Sequence, residues 1–159
     1  MAVITSPLGD AERKLTGDAL QGALVDLINI SLTAKQYHWN LVGARFRSIH
    51  LQLDEVVGVA RTHADTVAER AAAIGVNPDG RAKTVAVSEV TDADEAGWLS
   101  DDTVVSRTVA MLRRVGELMR ARIDAVAEAD PVTQDILIDV SADLEKQAWM
   151  FEAQLSRTG

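Results

Sequence analysis

Apolar side chains recur four and three residues apart along most of the chain. This spacing keeps one face of an α-helix apolar and predicts helices that pack in a bundle. In the first two helices the recurring residues are Leu20, Leu24, Leu27, Ala34 and Leu41, then Leu53, Val57, Ala60, Ala64, Val67, Ala71 and Ile74. Two later segments repeat the pattern, from Val105 to Val126 and from Leu137 to Leu155. The sequence therefore predicts an all-α four-helix bundle.

Short polar residues, glycine and proline mark the helix ends. The first helix is expected over residues 16–42 and the second over residues 46–74, since a glycine follows each. The third begins at the N-cap Ser100 and the fourth at Asp130, which proline follows. The intervening segment 76–99 has no strong apolar periodicity, apart from a helical turn expected near 82–87. It is therefore predicted to be a long crossover, which lets the third helix run parallel to the second.

Composition narrows the class of protein. The 159 residues suit one domain, expected over 16–159 after a short tail at 1–15. The sequence contains no run of about 18 apolar residues, so no membrane span is predicted. The N-terminal sequence lacks the pattern of a secretory signal, which favours the cytoplasm. A net charge of −8 excludes a generally basic nucleic-acid binder and fits a protein that attracts cations.

Histidines and carboxylates concentrate around the bend between the first two helices. His38 lies about one turn before the bend and His50 about one turn after it, so antiparallel helices bring the rings to one level. Asp54 follows His50 by four residues and shares its helix face. Because imidazole and carboxylate bind iron, zinc and manganese, these three residues are predicted to converge on one ion within one chain. His63 lies off this face and is interpreted as structural.

A second pair of carboxylates, Asp65 and Glu69, lies further along the same helix. At ~1.5 Å rise per residue, Asp65 is roughly 16 Å from Asp54 along the axis, so one ion cannot bridge them. Either there are two sites, or the second pair serves a site on a neighbouring chain. The face lies beside the apolar seam and carries small residues such as Gly58, which favours an antiparallel two-fold dimer.

The motif K-x-x-H-W-N-x-x-G-x-x-F-x-x-x-H-x-x-x-D, continued by D-x-x-x-E-R, resembles the Dps family of mini-ferritins. L-E-K-Q-A-W near the C-terminus is also similar to that family. The resemblance implies a ferritin-like four-helix bundle that assembles into a hollow dodecamer. It also implies that Fe(II) binds at shared sites and is oxidised by hydrogen peroxide, which limits oxidative stress, and that ferric mineral collects in the shell.

The resemblance also implies individual residue roles. The ferroxidase ligands are expected to be His38, His50 and Asp54 of one subunit with Asp65 and Glu69 of its partner. Trp39 is expected to supply or absorb an electron near the iron, and zinc to act as an inhibitor or a crystallisation occupant. The acidic residues near the start of the fourth helix either compensate its dipole or, as the resemblance implies, line three-fold iron pores; they are Asp130, Asp135 and Asp139.

Two other functions remain open. The first is DNA compaction, with ferroxidation secondary and an association with the nucleoid. A flexible basic tail is nearly absent, since the termini carry only Arg13, Lys14 and Arg157, so DNA binding is expected to be weak. The second is a metal-dependent hydrolase that uses the same ligands and a metal-bound water as nucleophile.

Overall fold

The computed structural model describes residues 4–88, 90 and 96–155 of the chain. Helices account for most of them. In chain order the elements are α1 (Asp10–Asn40), β1 (Leu41–Val42), α2 (Phe46–Ala73), α3 (Ala82–Val85), β2 (Leu99–Ser100), α4 (Asp101–Val126) and α5 (Pro131–Glu152). The four long helices form the predicted bundle, and the predicted turn in the crossover is α3.

The long helices pack as two antiparallel hairpins, α1 with α2 and α4 with α5. The first residues of α4 lie beside the last residues of α1, because β1 and β2 pair in parallel, Leu41 with Leu99 and Val42 with Ser100. Helix α4 therefore runs antiparallel to α1 and parallel to α2. This arrangement confirms the single-crossover bundle predicted from the long connection.

The bundle core consists of the apolar seams that the sequence predicts. Every recurring apolar residue of the first two helices is buried, and so is most of the pattern in the last two. The largest fully buried side chains include Leu20, Leu53, Leu112, Leu144 and Phe151, which come from all four long helices. At about 25 cal/mol per Å² of apolar area removed from water, this shared core is the main stabilising term of the fold.

Helix α1 differs from the prediction at both ends. It begins at Asp10, so part of the expected tail over residues 1–15 is helical. Asp10 and Glu12 favour this start, because acidic residues in the first turn interact favourably with the helix dipole. The helix ends at Asn40 rather than at Val42, since the next two residues pair with β2.

The bend between α1 and α2 is fixed to both ends of the second hairpin. Gly43 has a φ of +144°, and a Cβ atom there would lie 2.6 Å from the Asp101 carboxylate. The next contact comes from Arg45, whose backbone N–H donates to Asp101 Oδ2 at 3.1 Å. Its guanidinium donates to Asp102 at 2.5 Å and to the carbonyl of Gln154 at 3.2 Å. The start of α4 and the end of α5 therefore hold this bend.

Candidate metal site

His38 and His50 meet across the first hairpin. Their rings stack with centroids 3.5 Å apart and planes 20° apart. Each Nδ1 faces the other residue's backbone carbonyl, at 2.8 Å for His38 and 2.9 Å for His50. A carbonyl oxygen only accepts, so each Nδ1 is assigned the hydrogen, and Nε2 is the nitrogen that carries the lone pair when the ring is neutral. Such a second bond orients a metal-binding imidazole in many proteins.

The end of α1 explains why this pairing forms. The last four carbonyls of a helix have no partner within the helix. Because α1 ends at Asn40, the His38 carbonyl is one of these groups, and the His50 ring satisfies it. The bend thus brings the two helices together where one has an unused acceptor. The Phe46 ring also packs on His50, with centroids 4.9 Å apart.

Asp54 lies one turn beyond His50, but its carboxylate is directed to Lys35 on α1. The Lys35 ammonium donates to Asp54 Oδ1, and this oxygen is 3.4 Å from His38 Nδ1. The hydrogen bond from Lys35 is the main reason that the pKa of Asp54 lies below its ordinary 3.8, against the opposing effect of burial. Asp54 is therefore an anion at neutral pH.

The described residues of one chain contain no group of three histidine or acidic side chains that could hold a metal ion. In the structure the Asp54 carboxylate pairs with Lys35, and each imidazole Nδ1 faces a backbone carbonyl. Metal binding by these residues stays a prediction.

Asp65 and Glu69 lie on an open face of α2. Both are exposed, and neither carboxylate has a hydrogen bond or ion pair within the part of the chain that the structure describes. Between them and Asp54 lies Gly58, where an added Cβ would meet no atom within 4 Å. This face has room for a close approach by another helix, as the sequence led us to expect.

Two other residues of the first hairpin, His63 and Trp39, have different surroundings. His63 Nε2 lies 2.8 Å from Asp143 Oδ2 and joins α2 to α5, in keeping with the structural role expected for it. Trp39 follows His38 directly and is 64% exposed. Its electron-transfer role remains a prediction. Sequence reasoning assigned no function to Lys35 or Phe46, although both stand in the quoted motif and Phe46 precedes His50 by one helical turn.

The three expected pore residues have unlike positions. Asp135 and Asp139 are exposed one turn apart on α5, and their pore role stays a prediction. Asp130 is only 3% exposed, so its expected role in lining a pore needs correction. Its carboxylate accepts from the Thr133 N–H at 3.3 Å and from Arg70 Nη2 at 2.6 Å. Asp130 is thus the N-cap of α5 and the partner of an arginine on α2.

The ion pair between Asp130 and Arg70 predicts that the free energy of unfolding depends on pH. Burial alone would raise the pKa of Asp130, but Arg70 and Thr133 outweigh it and hold the pKa below 3.8. The stabilisation is therefore present above the ordinary pKa and is lost as pH falls through the folded-state value. Asp130→Asn is expected to lower the free energy of unfolding by about 1–2 kcal/mol near neutral pH.

Urea unfolding followed by circular dichroism checks this expectation. The difference between wild type and Asp130→Asn should be constant from about pH 7 to about pH 5 and should shrink as pH falls below the ordinary 3.8. The control is Asp18→Asn, which removes an acid from the exposed pair that Lys14 makes at 2.6 Å. It should change stability by less than about 0.5 kcal/mol. Equal losses in both variants would contradict a special role for the buried pair.

The four-helix bundle with one long crossover is that of a ferritin-like protein, and the ferritin-like domain family matches residues 17–158. Among proteins of known sequence, DNA protection during starvation protein 2 of Deinococcus radiodurans is 32% identical over 151 residues. The match covers 94% of this chain and 62% of that protein. The chain therefore spans less than two thirds of that relative's length.

Two further comparisons define the family more narrowly. The DNA protection during starvation protein of Mycolicibacterium smegmatis is 34% identical over 163 residues, with 100% of this chain and 87% of that protein covered. The structure of Dps from Microbacterium arborescens in the high iron form superposes with a TM-score of 0.89 at 29% identity, covering 98% of this chain and 100% of that chain. The chain belongs to the Dps family of ferritin-like proteins. None of the helices in the described ranges is long and apolar enough to cross a membrane.

Proposed function

We propose that this chain oxidises Fe(II), preferentially with hydrogen peroxide, and stores the product as ferric mineral inside a hollow homo-oligomeric shell. The observation that carries the proposal is the stacked pair of His38 and His50, whose Nδ1 atoms both face backbone carbonyls, so that Nε2 is the nitrogen of each ring that a metal can approach. The high-iron form of the Microbacterium arborescens relative supports iron as the substrate. The shell is proposed to be the dodecamer expected from the family, working in the cytoplasm against oxidative stress.

The donor set suits this reaction. Neutral imidazoles bind Fe(II) at modest affinity, and carboxylates stabilise Fe(III) as it forms. Two Fe(II) ions supply two electrons to one hydrogen peroxide molecule, whose O–O bond breaks, and two protons complete two water molecules. Because both electrons are consumed, no hydroxyl radical is left over. The carbonyl bonds keep the two rings in one tautomer and orientation for this task.

The site is proposed to be shared between two chains. His38, His50 and Asp54 would come from one chain, and Asp65 and Glu69 from its two-fold partner. Support comes from the distance along α2, roughly 16 Å between the two acidic positions, and from the open face around Gly58. An antiparallel copy of α2 on that face would bring the acidic pair of one chain to the histidine pair of the other.

Crystallography with anomalous scattering at the iron and zinc edges tests this assignment. Crystals soaked with Fe(II) under anaerobic conditions should give an iron peak near the Nε2 atoms of His38 and His50. The partner's carboxylates should complete the coordination. Zinc, as an expected inhibitor, should occupy the same position. An iron peak that has no histidine ligand would contradict the proposal.

DNA binding is proposed to be weak for this chain, despite the DNA protection named for its relatives. Two basic residues of the N-terminal segment are already paired in α1, Arg13 with Asp10 at 2.9 Å and Lys14 with Asp18 at 2.6 Å. Arg157 lies outside the described residues. The N-terminal segment therefore supplies few free cations to neutralise phosphates, and the net charge of −8 opposes the approach of DNA.

A gel-shift series over salt concentration measures this directly. Binding should be lost by ~0.15 M salt near neutral pH, where the Debye length is about 8 Å. A polycation-tailed variant of the same chain, with several lysines added at the N-terminus, is the positive control and should shift DNA. Retarded complexes of the unmodified chain that persist at ~0.15 M salt would contradict the expectation.

A further inference from the structure

Lys35 is the one cation in direct contact with the candidate site, among the residues that the structure describes. It lies one turn before His38 on α1 and donates to Asp54 Oδ1. Its side chain is 27% exposed and that of Asp54 is 44% exposed, so the pair lies at the edge of the site and borders solvent. The same Asp54 oxygen is 3.4 Å from His38 Nδ1.

We propose that Lys35 is a resident counter-ion, which a divalent cation has to displace before Asp54 can bind it, and which therefore lowers the affinity of the site for metal. This inference rests on the proposed function, because it treats Asp54 as a ligand. It assigns to Lys35 a role in setting affinity and does not make it a ligand, since an ammonium has three donors and no lone pair.

Electrostatics gives the direction of the effect. A divalent cation on Asp54 Oδ1 and the ammonium hydrogen-bonded to that oxygen would be neighbouring like charges. Lysine can yield, because its ammonium is strongly hydrated and carried on a flexible four-carbon stem. Its displacement breaks an ion pair that is partly exposed and hence of modest strength. The loss of metal affinity that Lys35 causes is expected to be about threefold to tenfold.

The counter-ion acts on Asp54 and not on the histidine pair. Among the described residues, no cation contacts the Nε2 atoms of the histidine pair, whereas the Lys35 ammonium holds the Asp54 carboxylate. Metal is therefore expected to reach the imidazoles first and Asp54 afterwards. A modest affinity also suits a site that has to release its product into a storage cavity.

Calorimetry of the assembled protein with Zn²⁺, which has no redox chemistry, tests the proposal. Lys35→Met keeps the length of the side chain without its charge, and it should bind Zn²⁺ about threefold to tenfold more tightly than wild type at low ionic strength. The gap should narrow as salt is added. Lys35→Gln serves as a second variant if the methionine variant assembles poorly.

Two matched controls isolate the contact. Lys14→Met removes the same charge from the same helix, at the exposed pair with Asp18, and should leave Zn²⁺ affinity unchanged. Lys35→Arg keeps the charge and should stay within about twofold of wild type. In an Asp54→Asn background, Lys35→Met should no longer raise the affinity, because the carboxylate that Lys35 holds is already gone. This double-mutant cycle isolates the interaction between the two residues.

The outcomes separate this inference from the proposed function. If His50→Ala binds Zn²⁺ as wild type does, the metal site itself is wrong. If His50→Ala weakens binding while Lys35→Met equals wild type or binds more weakly, the site stands and the counter-ion role is overturned. A gain that survives in the Asp54→Asn background also overturns it.

Discussion

Replacing His50 by alanine is expected to slow peroxide-driven Fe(II) oxidation by about a hundredfold or more. Loss of residues that only orient a metal ligand already costs about 10–100-fold, and His50 is proposed to be a ligand itself. The change also removes the ring that stacks on His38 and the donor to the His38 carbonyl. Asp54→Ala should lower the rate in the same direction, because it removes a carboxylate that stabilises Fe(III).

Stopped-flow absorbance of the ferric product measures these rates, with variants compared at matched oligomer size. His63→Ala is the control, because it removes a histidine of the same helix together with its bond to Asp143. It should oxidise Fe(II) at close to the wild-type rate, even if its stability falls. Wild-type rates in both His50→Ala and Asp54→Ala would overturn the site assignment.

Activity is expected to return when two inactive variants assemble together. One variant lacks His50 and Asp54, and the other lacks Asp65 and Glu69. In a two-fold pair of unlike chains, one site has lost both halves of its ligand set and the other has all of its ligands. Random mixing in equal amounts makes about half of the pairs unlike, so about a quarter of the wild-type sites should be restored.

Co-expression followed by native mass spectrometry confirms that shells contain both variants, and the same stopped-flow assay gives their activity. The control pairs the variant lacking His50 and Asp54 with His38→Ala. Both changes damage the same half of the ligand set, so no complete site can form. If the first mixture stays at the level of its separate components, the sites are not shared between chains.

Sequence periodicity predicted the bundle well because burial is a property of helix faces. The apolar seams, the caps at Ser100 and Asp130, and the end of α2 all follow from local patterns. Pairing between elements is harder to predict. The N-cap role of Asp130 was visible in sequence, but its burial against Arg70 depends on how α2 packs on α5, which no local pattern reports.

The same distinction applies to the candidate site. The spacing of His38 and His50 about a bend was enough to predict that their rings meet. The spacing of Asp54 from His50 predicted a shared face and could not predict that Lys35 would hold its carboxylate. Residues on other helices determine which ion pairs and hydrogen bonds a charged surface side chain makes. The periodicity of one helix carries no information about those residues.

The contacts of Arg45 make the first hairpin dependent on the second. Every proposed ligand lies in α1 or α2, yet the corner between these helices is tied to Asp101 and Asp102 at the start of α4 and to Gln154 beyond the end of α5. A peptide cut after α2 would carry all the ligand residues of one chain. It would lack the Arg45 contacts that hold α1 and α2 at their angle. The smallest unit that keeps this corner is therefore the whole bundle, and one shared site needs two such bundles. Transplanting the motif alone to another scaffold would leave its corner unsupported.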